Sequence, residues 1–212
     1  VIPAMLTSPK RTAELISQLE VIYHANKDKN IYFALLGDFP DYKEEVGPGD
    51  KSIINTGLKE IKRLNDKYFK DDEHFFLLNR DRVFNKSEGV FMGRERKRGK
   101  LLEFMALLKG DKNHTYTTIS GDISKLKEMK FLITLDADTF MPKDSAKELI
   151  GTMAHVLNTA KLEDNRVKHG YGIIQPKVSI SLESKNSSAF SRIFAGDSGV
   201  DGYSVAYSDT YE

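Results

Sequence analysis

Short, unbroken apolar runs alternate along this chain with stretches whose apolar groups recur at helical spacing, and this alternation constrains the fold more than any other feature. Residues 1–5, 31–36, 75–78, 131–135 and 171–178 read as strands, the last broken by Pro176. Between them, Leu15, Ile16, Leu19 and Ile22 predict a helix over 9–24, and Ile54, Leu58, Ile61, Leu64 and Tyr68 predict a second. Leu101, Met105 and Leu108 mark a third over 98–109, and Ala146, Leu149, Ile150, Met153 and Leu157 a fourth. Continuous apolar strands separated by amphipathic helices need cover on both faces. The expectation is therefore an α/β fold: a Rossmann-type, mostly parallel sheet with helices on both faces, as a single domain over 1–212.

Composition narrows the function class. Lys plus Arg number 32 against 31 Asp plus Glu, so no global field points to nucleic acid or to an acidic membrane surface. There is no cysteine, which excludes a disulfide framework and a thiolate zinc site. No apolar run approaches the roughly 20 residues a membrane span needs. Val1-Ile2-Pro3 reads as the middle of a strand, and Ser208-Asp209-Thr210-Tyr211-Glu212 carries no terminating pattern, so the chain is expected to be a piece of something longer. The stretch from Ser181 onward is rich in Ser, Gly and Asp, receives no element, and is expected to be poorly ordered.

The chemistry concentrates where Phe131-Leu132-Ile133-Thr134-Leu135 runs into Asp136-Ala137-Asp138-Thr139. Two carboxylates at the expected carboxyl end of a buried strand suit a divalent cation, Mg²⁺ or Mn²⁺, that completes its shell with phosphate and water. Ligands of open α/β sheets also bind beyond the carboxyl ends of the strands. The alternative is a pair of turn and cap residues ahead of the helix that begins near Pro142. Upstream, Gly93-Arg94-Glu95-Arg96-Lys97-Arg98-Gly99-Lys100 places five cations at a helix start, where they oppose the macrodipole unless an anion such as a diphosphate lies there. A solvated basic helix end and a nucleic-acid patch are the competing readings; the run lacks the interleaved aromatics of the latter. Asp38 follows another apolar run and is either a turn residue or a partner for a nucleobase or ribose. Gly47-Pro48-Gly49-Asp50-Lys51-Ser52 fails as a phosphate loop, because Asp50 stands where glycine is needed. The five histidines show no metal-ligand spacing, and His155 reads as a packed helix residue.

These residues, in this order, resemble the inverting GT-A glycosyltransferases. Processive members carry a lysine-alanine-glycine-asparagine-leucine sequence ahead of an Asp-Ala-Asp; Lys97 and Gly99 match it, whereas Arg98 and Lys100 depart from it. Phe33-Ala34-Leu35-Leu36-Gly37-Asp38, Ile133-Thr134-Leu135-Asp136-Ala137-Asp138-Thr139, Gly151-Thr152-Met153-Ala154-His155, Gly172-Ile173-Ile174-Gln175-Pro176 and Phe194-Ala195-Gly196-Asp197 narrow the resemblance to the glycosyltransferase domain of cyclic β-1,2-glucan synthases, glycosyltransferase family eighty-four.

The resemblance implies a GT-A-like domain within a large polytopic protein, at the cytoplasmic face of the bacterial inner membrane, that transfers glucose from UDP-glucose to a growing β-1,2-glucan. It implies a divalent cation on Asp136 and Asp138, diphosphate contacts from Lys97 and Lys100, and Thr7 and Asp38 beside the uridine. The general base is expected beyond Glu212, so the chain alone is expected to bind donor and transfer little or none of it. The partners implied are UDP-glucose, a glucan acceptor and the rest of the parent polypeptide, without nucleic acid. A nucleotide-sugar-binding module without transferase activity and a nucleotidyltransferase are the alternatives.

Overall fold

A computed structural model describes residues 1–70 and 72–176. By contacts the chain divides into two compact units, Val1–Ile150 and Gly151–Glu212.

In the first unit, β1 (Ile2–Met5), α1 (Pro9–Ala25), β2 (Phe33–Asp38), α2 (Asp50–Tyr68) and β3 (Phe75–Arg80) form two successive strand-helix-strand units. A hairpin of β4 (Val83–Asn85) and β5 (Val90–Met92) follows, then α3 (Arg96–Leu108) and β6 (Tyr116–Ile119). The main sheet has four strands in the order β1-β2-β3-β6. β1, β2 and β3 are parallel neighbours, and β6 closes the far edge antiparallel to β3. This is a mixed α/β fold with a mostly parallel sheet, Rossmann-like in organisation.

The sheet is covered on both faces because its apolar runs have period two. In β3, Phe75 and Leu77 join the core formed with Leu15, Leu19, Ile53 and Ile61 of α1 and α2. Phe76 and Leu78 point the other way, onto Phe104 and Leu107 of α3. All four of these β3 side chains are fully buried, each contributing about 1.5–3 kcal/mol of apolar transfer. α1 starts where it does because Ser8 accepts the Arg11 N–H at 3.1 Å and Pro9 needs no intrahelical partner at the first turn. It ends at Asn26, whose buried side chain donates to the Pro142 carbonyl at 3.2 Å and accepts the Ala146 N–H at 2.9 Å. That contact seats the start of α4 (Ser145–Ala154) against the end of α1.

One expected strand is corrected. Residues 131–135 belong to none of the strands, and Phe131 and Leu132 are 39% and 37% exposed. The segment nevertheless lies along the free edge of β1, where the Val1 N–H donates to the Ile133 carbonyl at 2.6 Å and the Leu135 N–H donates to the Val1 carbonyl at 3.0 Å. These are the two bonds of a parallel pairing. The next donor on that edge of β1 belongs to Pro3, which has no N–H, so the ladder stops. The acid pair therefore follows an exposed, extended edge segment rather than a buried central strand.

In the second unit, β7 (Lys161–Glu163) and β8 (Arg166–His169) form an antiparallel hairpin. Its two-residue turn, Asp164-Asn165, has positive φ at both positions (51° and 59°), the geometry that matches strand twist. The strand expected from residue 171 is absent over 171–176, where Tyr171 makes an isolated bridge to Thr159. Residues 177–178 of that expectation, the Phe194-Ala195-Gly196-Asp197 phrase and the stretch from Ser181 onward lie outside the described residues. His155 is exposed just past the end of α4 rather than packed. Among the described residues no helix is long and apolar enough to cross a membrane.

Candidate nucleotide site at the carboxyl edge of the sheet

β1 and β2 end side by side, with Met5 opposite Asp38, and α3 begins in front of them. A cavity of about 190 Å³ lies between these ends, walled by Pro3, Ala4, Met5 and Phe39, with Asp38, Gly93 and Lys100 at its base. Asp41, Arg96 and Lys97 form its rim. A larger cavity, about 700 Å³, lies among the end of α2, the start of β3 and the end of β6. Two of its three lysines pair with neighbouring acids, Lys62 with Asp66 and Lys125 with Asp72. The smaller cavity is at the strand ends where α/β sheets take ligands.

Asp38 is buried, with its side chain 7% exposed. Arg80 donates to it through Nε at 2.7 Å and Nη2 at 3.0 Å, and Lys100 Nζ lies 3.0 Å away. Lys100 is also buried and donates to the Ala4 carbonyl at 2.5 Å. Burial lowers the Lys100 pKa from the usual lysine range, and the Asp38 carboxylate partly restores it. Gly93 makes this closeness possible, since a Cβ there would stand 2.7 Å from the Asp38 carboxyl carbon. Asp38 and Lys100 are therefore joined in one buried ion cluster that borders the cavity.

Sequence reasoning missed the centre of that cluster, Arg80. It is fully buried, and all five of its N–H donors are used. Besides the Asp38 fork, Nη1 reaches the Arg94 carbonyl at 3.1 Å and Glu103 Oε1 at 3.0 Å, and Nη2 reaches the Arg96 carbonyl at 3.0 Å. Burial, the largest influence, works against its charge, but Asp38 together with Glu103 and Tyr116 offsets it and raises the guanidinium pKa above its ordinary value. The only available signal was an arginine closing the apolar run Phe75-Phe76-Leu77-Leu78-Asn79, where a buried charge demands a partner on the neighbouring strand.

The basic run opens α3 by way of a left-handed turn, with φ of 51° at Glu95 and 49° at Arg96. Gly99 admits the Arg94 carbonyl at close range, since a Cβ there would overlap that oxygen. The turn points the cations in different directions. Lys100 faces inward to Asp38, whereas the exposed Arg96 pairs with Asp41 and Glu88, each at 3.0 Å. Lys97 pairs with Asp136.

The acid pair sits on a turn closed by the Thr139 N–H to the Asp136 carbonyl at 3.0 Å. Leu135, Ala137 and Met141 are partly buried against the α1 side of the core. Alternation along the chain therefore leaves Asp136 and Asp138 exposed. Asp138 has no ion-pair partner among the described residues. Thr7 is exposed just beyond β1, ahead of the Ser8 cap. The structure thus gathers Asp38, Lys97 and Lys100 around one cavity and ties Asp136 to Lys97. Thr7 and Asp138 are not among that cavity's lining residues. Among the described residues no three His, Cys, Asp or Glu side chains converge as a ready metal cage.

The sequence 47–52, rejected above as a phosphate loop, uses its own amide. Asp50 accepts the Gly47 N–H at 2.6 Å and pairs with buried Arg82 at 2.5 Å, leaving a carboxylate where a phosphate would sit.

No protein-family profile matches the chain. It is 38% identical over 216 aligned positions to the cyclic beta-(1,2)-glucan synthase NdvB of Rhizobium meliloti (strain 1021). That match takes in 100% of this chain and 8% of the synthase, so the chain spans a small part of its relative's length. It is related, from end to end, to a segment of a glucan synthase.

Proposed function

We propose that this chain is the donor-binding core of an inverting GT-A-type glycosyltransferase of family eighty-four, taking glucose from UDP-glucose for β-1,2-glucan synthesis at the cytoplasmic face of a bacterial inner membrane. The observation that carries the reading is the meeting of Asp38, Lys97 and Lys100 at one cavity beyond the carboxyl ends of β1 and β2, in a chain related to a glucan synthase. The uridine lies toward Thr7 and the base of the cavity. The diphosphate lies toward Lys97, the exposed cation at the first turn of α3, where ammonium and backbone N–H groups both favour an anion.

Asp136 and Asp138 fit a divalent cation in part. Their oxygens are the donors Mg²⁺ and Mn²⁺ prefer, they share one exposed turn, and Asp136 already attracts an ammonium group. Two carboxylates leave most of an octahedral shell to phosphate oxygens and water. The ion would be held by Asp136 and Asp138 and would neutralise charge on the departing diphosphate. Lys97 is then released from Asp136 to face the same phosphates.

A binding module without transferase activity is the second reading. It is favoured by the state of the carboxylates lining the cavity: Asp38 is ion-paired to Arg80 and Lys100, and Asp41 to Arg96. Among the described residues neither of these cavity carboxylates is free to take a proton from an acceptor hydroxyl.

Calorimetric titration with UDP, UDP-glucose, ADP and GDP, with and without Mn²⁺, tests the proposal. UDP and UDP-glucose should bind in Mn²⁺ and the purine nucleotides much more weakly. Equal binding of all four, or of none, would overturn it. Turnover of UDP-glucose into glucan by this chain alone would refute the binding-only reading.

A further inference from the structure

Outside the donor cavity little points to a ligand: Lys62 and Lys125 of the 700 Å³ cavity are already paired with its own acids, and nothing described covers the exposed apolar side chains of the β7–β8 hairpin. Arg80, by contrast, is a large buried cation with no place in the proposed donor contacts. An isolated buried charge is costly, and a fold retains one when its partners satisfy it completely. Here the partners fall into two groups. Asp38 terminates β2 at the base of the cavity; the carbonyls of Arg94 and Arg96, together with Glu103, belong to the turn and body of α3. A rigid planar fork with fixed donor directions joins the two groups.

The turn's own backbone bonds, from the Arg96 N–H to the Gly93 carbonyl at 3.0 Å and from the Gly99 N–H to the Glu95 carbonyl at 3.1 Å, are local, and the Arg96 pairs with Asp41 and Glu88 are made by an exposed side chain. Glu95 and Arg96 both sit in the left-handed region, unfavourable for side-chain-bearing residues, and α3 has no side-chain cap and no acidic residue in its first turn. The carbonyls of Arg94 and Arg96 flank this strained pair, and Arg80 holds both. Lys97 is the next residue along.

We propose that Arg80 is the positioning residue of the donor site: without touching the donor, it locks the Arg94–Arg96 turn to Asp38 and so fixes Lys97 at the diphosphate position. This rests on the donor reading above. It also explains why a buried arginine, not a lysine, stands there. A lysine would keep the charge and one contact to Asp38 but could not reach two carbonyls and two carboxylates in a plane.

The test uses Arg80→Lys in the full 212-residue chain, with folding checked by thermal melting. The reading is the ratio of UDP to uridine affinity, both titrated in Mn²⁺. A positioning role predicts that the ratio falls about tenfold or more, equivalent to roughly 1.4 kcal/mol, because only UDP reaches Lys97. A purely structural role weakens both ligands by the same factor and overturns the proposal. Lys97→Met should lower the ratio in the native background and add little on top of Arg80→Lys; additive losses would also overturn it. Should Arg80→Lys fail to fold, Gly99→Ala displaces the Arg94 carbonyl from the fork while leaving the Asp38 contacts in place, and must produce the same fall in ratio. A native chain that binds no UDP overturns the donor reading itself. A native chain that binds UDP while Arg80→Lys leaves the ratio unchanged overturns only the role of Arg80.

Discussion

Asp38 and Arg80 are register partners across the parallel β2–β3 pair, and their side chains meet in a two-bonded fork, 2.7 and 3.0 Å, at the last residue of each strand. A buried pair at that place does more than close a sheet. It gives β2 and β3 a common end, and from that end Arg80 reaches across to the opening turn of α3 while Lys100 reaches back to the Ala4 carbonyl of β1. Three strand ends and one helix start are thereby fixed around the same carboxylate.

Asp38→Asn should therefore be expensive in stability. It leaves Arg80 and Lys100 buried with one anion fewer, a situation that costs about 3–5 kcal/mol when a buried pair is broken. Asp136→Asn, which removes only a half-exposed partner of Lys97, should change stability by no more than about 0.5 kcal/mol. Urea denaturation of the two variants beside the native chain checks this ordering. Similar losses in both would mean that the cluster around Asp38 is not what holds the strand ends.

Lys100→Met should cost less than Asp38→Asn, because Asp38 keeps both bonds from Arg80. The titration of Lys100 adds a pH signature. Burial lowers its folded pKa below the ordinary 10.5. Between those two values the unfolded chain holds a proton that the folded chain has released, so this group makes stability rise with pH there. Denaturation midpoints across the alkaline range should show that rise in the native chain, and subtracting the Lys100→Met profile should isolate it. A difference profile that is flat, or that falls with pH, contradicts the burial of the amine.

Glu20 gives the opposite case on the far side of α1. Hydrogen bonds from Lys67, then from Tyr68 and Arg63, outweigh burial and pull its pKa from 4.5 to about 2. A depressed folded pKa means that the stabilisation is fully present above pH 4.5 and disappears as pH falls toward 2. Lys67 and Arg63 are about half exposed, so solvent screening limits the effect to about 1 kcal/mol at most. Glu20→Gln should lower the melting temperature at neutral pH and converge on the native chain near pH 2. A gap that persists unchanged at pH 2 would assign the loss to packing instead of charge.

The parts of this molecule legible in its sequence are those governed by local periodicity. The apolar run Phe75-Phe76-Leu77-Leu78 forecasts a strand buried on both faces, and both faces are used. The stripe Ile54, Leu58, Ile61, Leu64 forecasts a helix, which α2 supplies. What failed depended on partners distant in sequence. The run at 131–135 has strand composition, but its ladder is cut by the missing N–H of Pro3, some 130 residues earlier. β6 is short and antiparallel, and its Tyr116-Thr117-Thr118-Ile119 carries too little apolar content to stand out. In the site, Asp38 and Lys97 could be nominated from their positions near strand and helix ends. Arg80 could not, because its function lies in bonds to the carbonyls of Arg94 and Arg96, and a backbone oxygen leaves no trace in composition.

On the donor reading proposed above, nucleotide binding should depend on a divalent cation for reasons of charge, and that dependence can be separated from the phosphate contacts of Lys97. With Asp136 and Asp138 on one exposed turn, a diphosphate brought to that turn meets carboxylates of its own sign. Lys97 offsets one of them, through its pair with Asp136, whereas Asp138 has no ion-pair partner among the described residues. An added divalent cation therefore has most to gain at Asp138. Asp138→Asn should remove most of the advantage Mn²⁺ gives to UDP binding, while improving metal-free UDP binding a few-fold through lost repulsion. Lys97→Met should do the reverse, weakening metal-free UDP binding and making the Mn²⁺ requirement steeper, because Asp136 then lacks its internal counter-ion. Isothermal titration of the native chain and both variants, in chelator and in Mn²⁺, separates these effects. UDP affinity that is identical in chelator and in Mn²⁺ for the native chain would remove the cation from the site and leave the two carboxylates as turn residues ahead of α4.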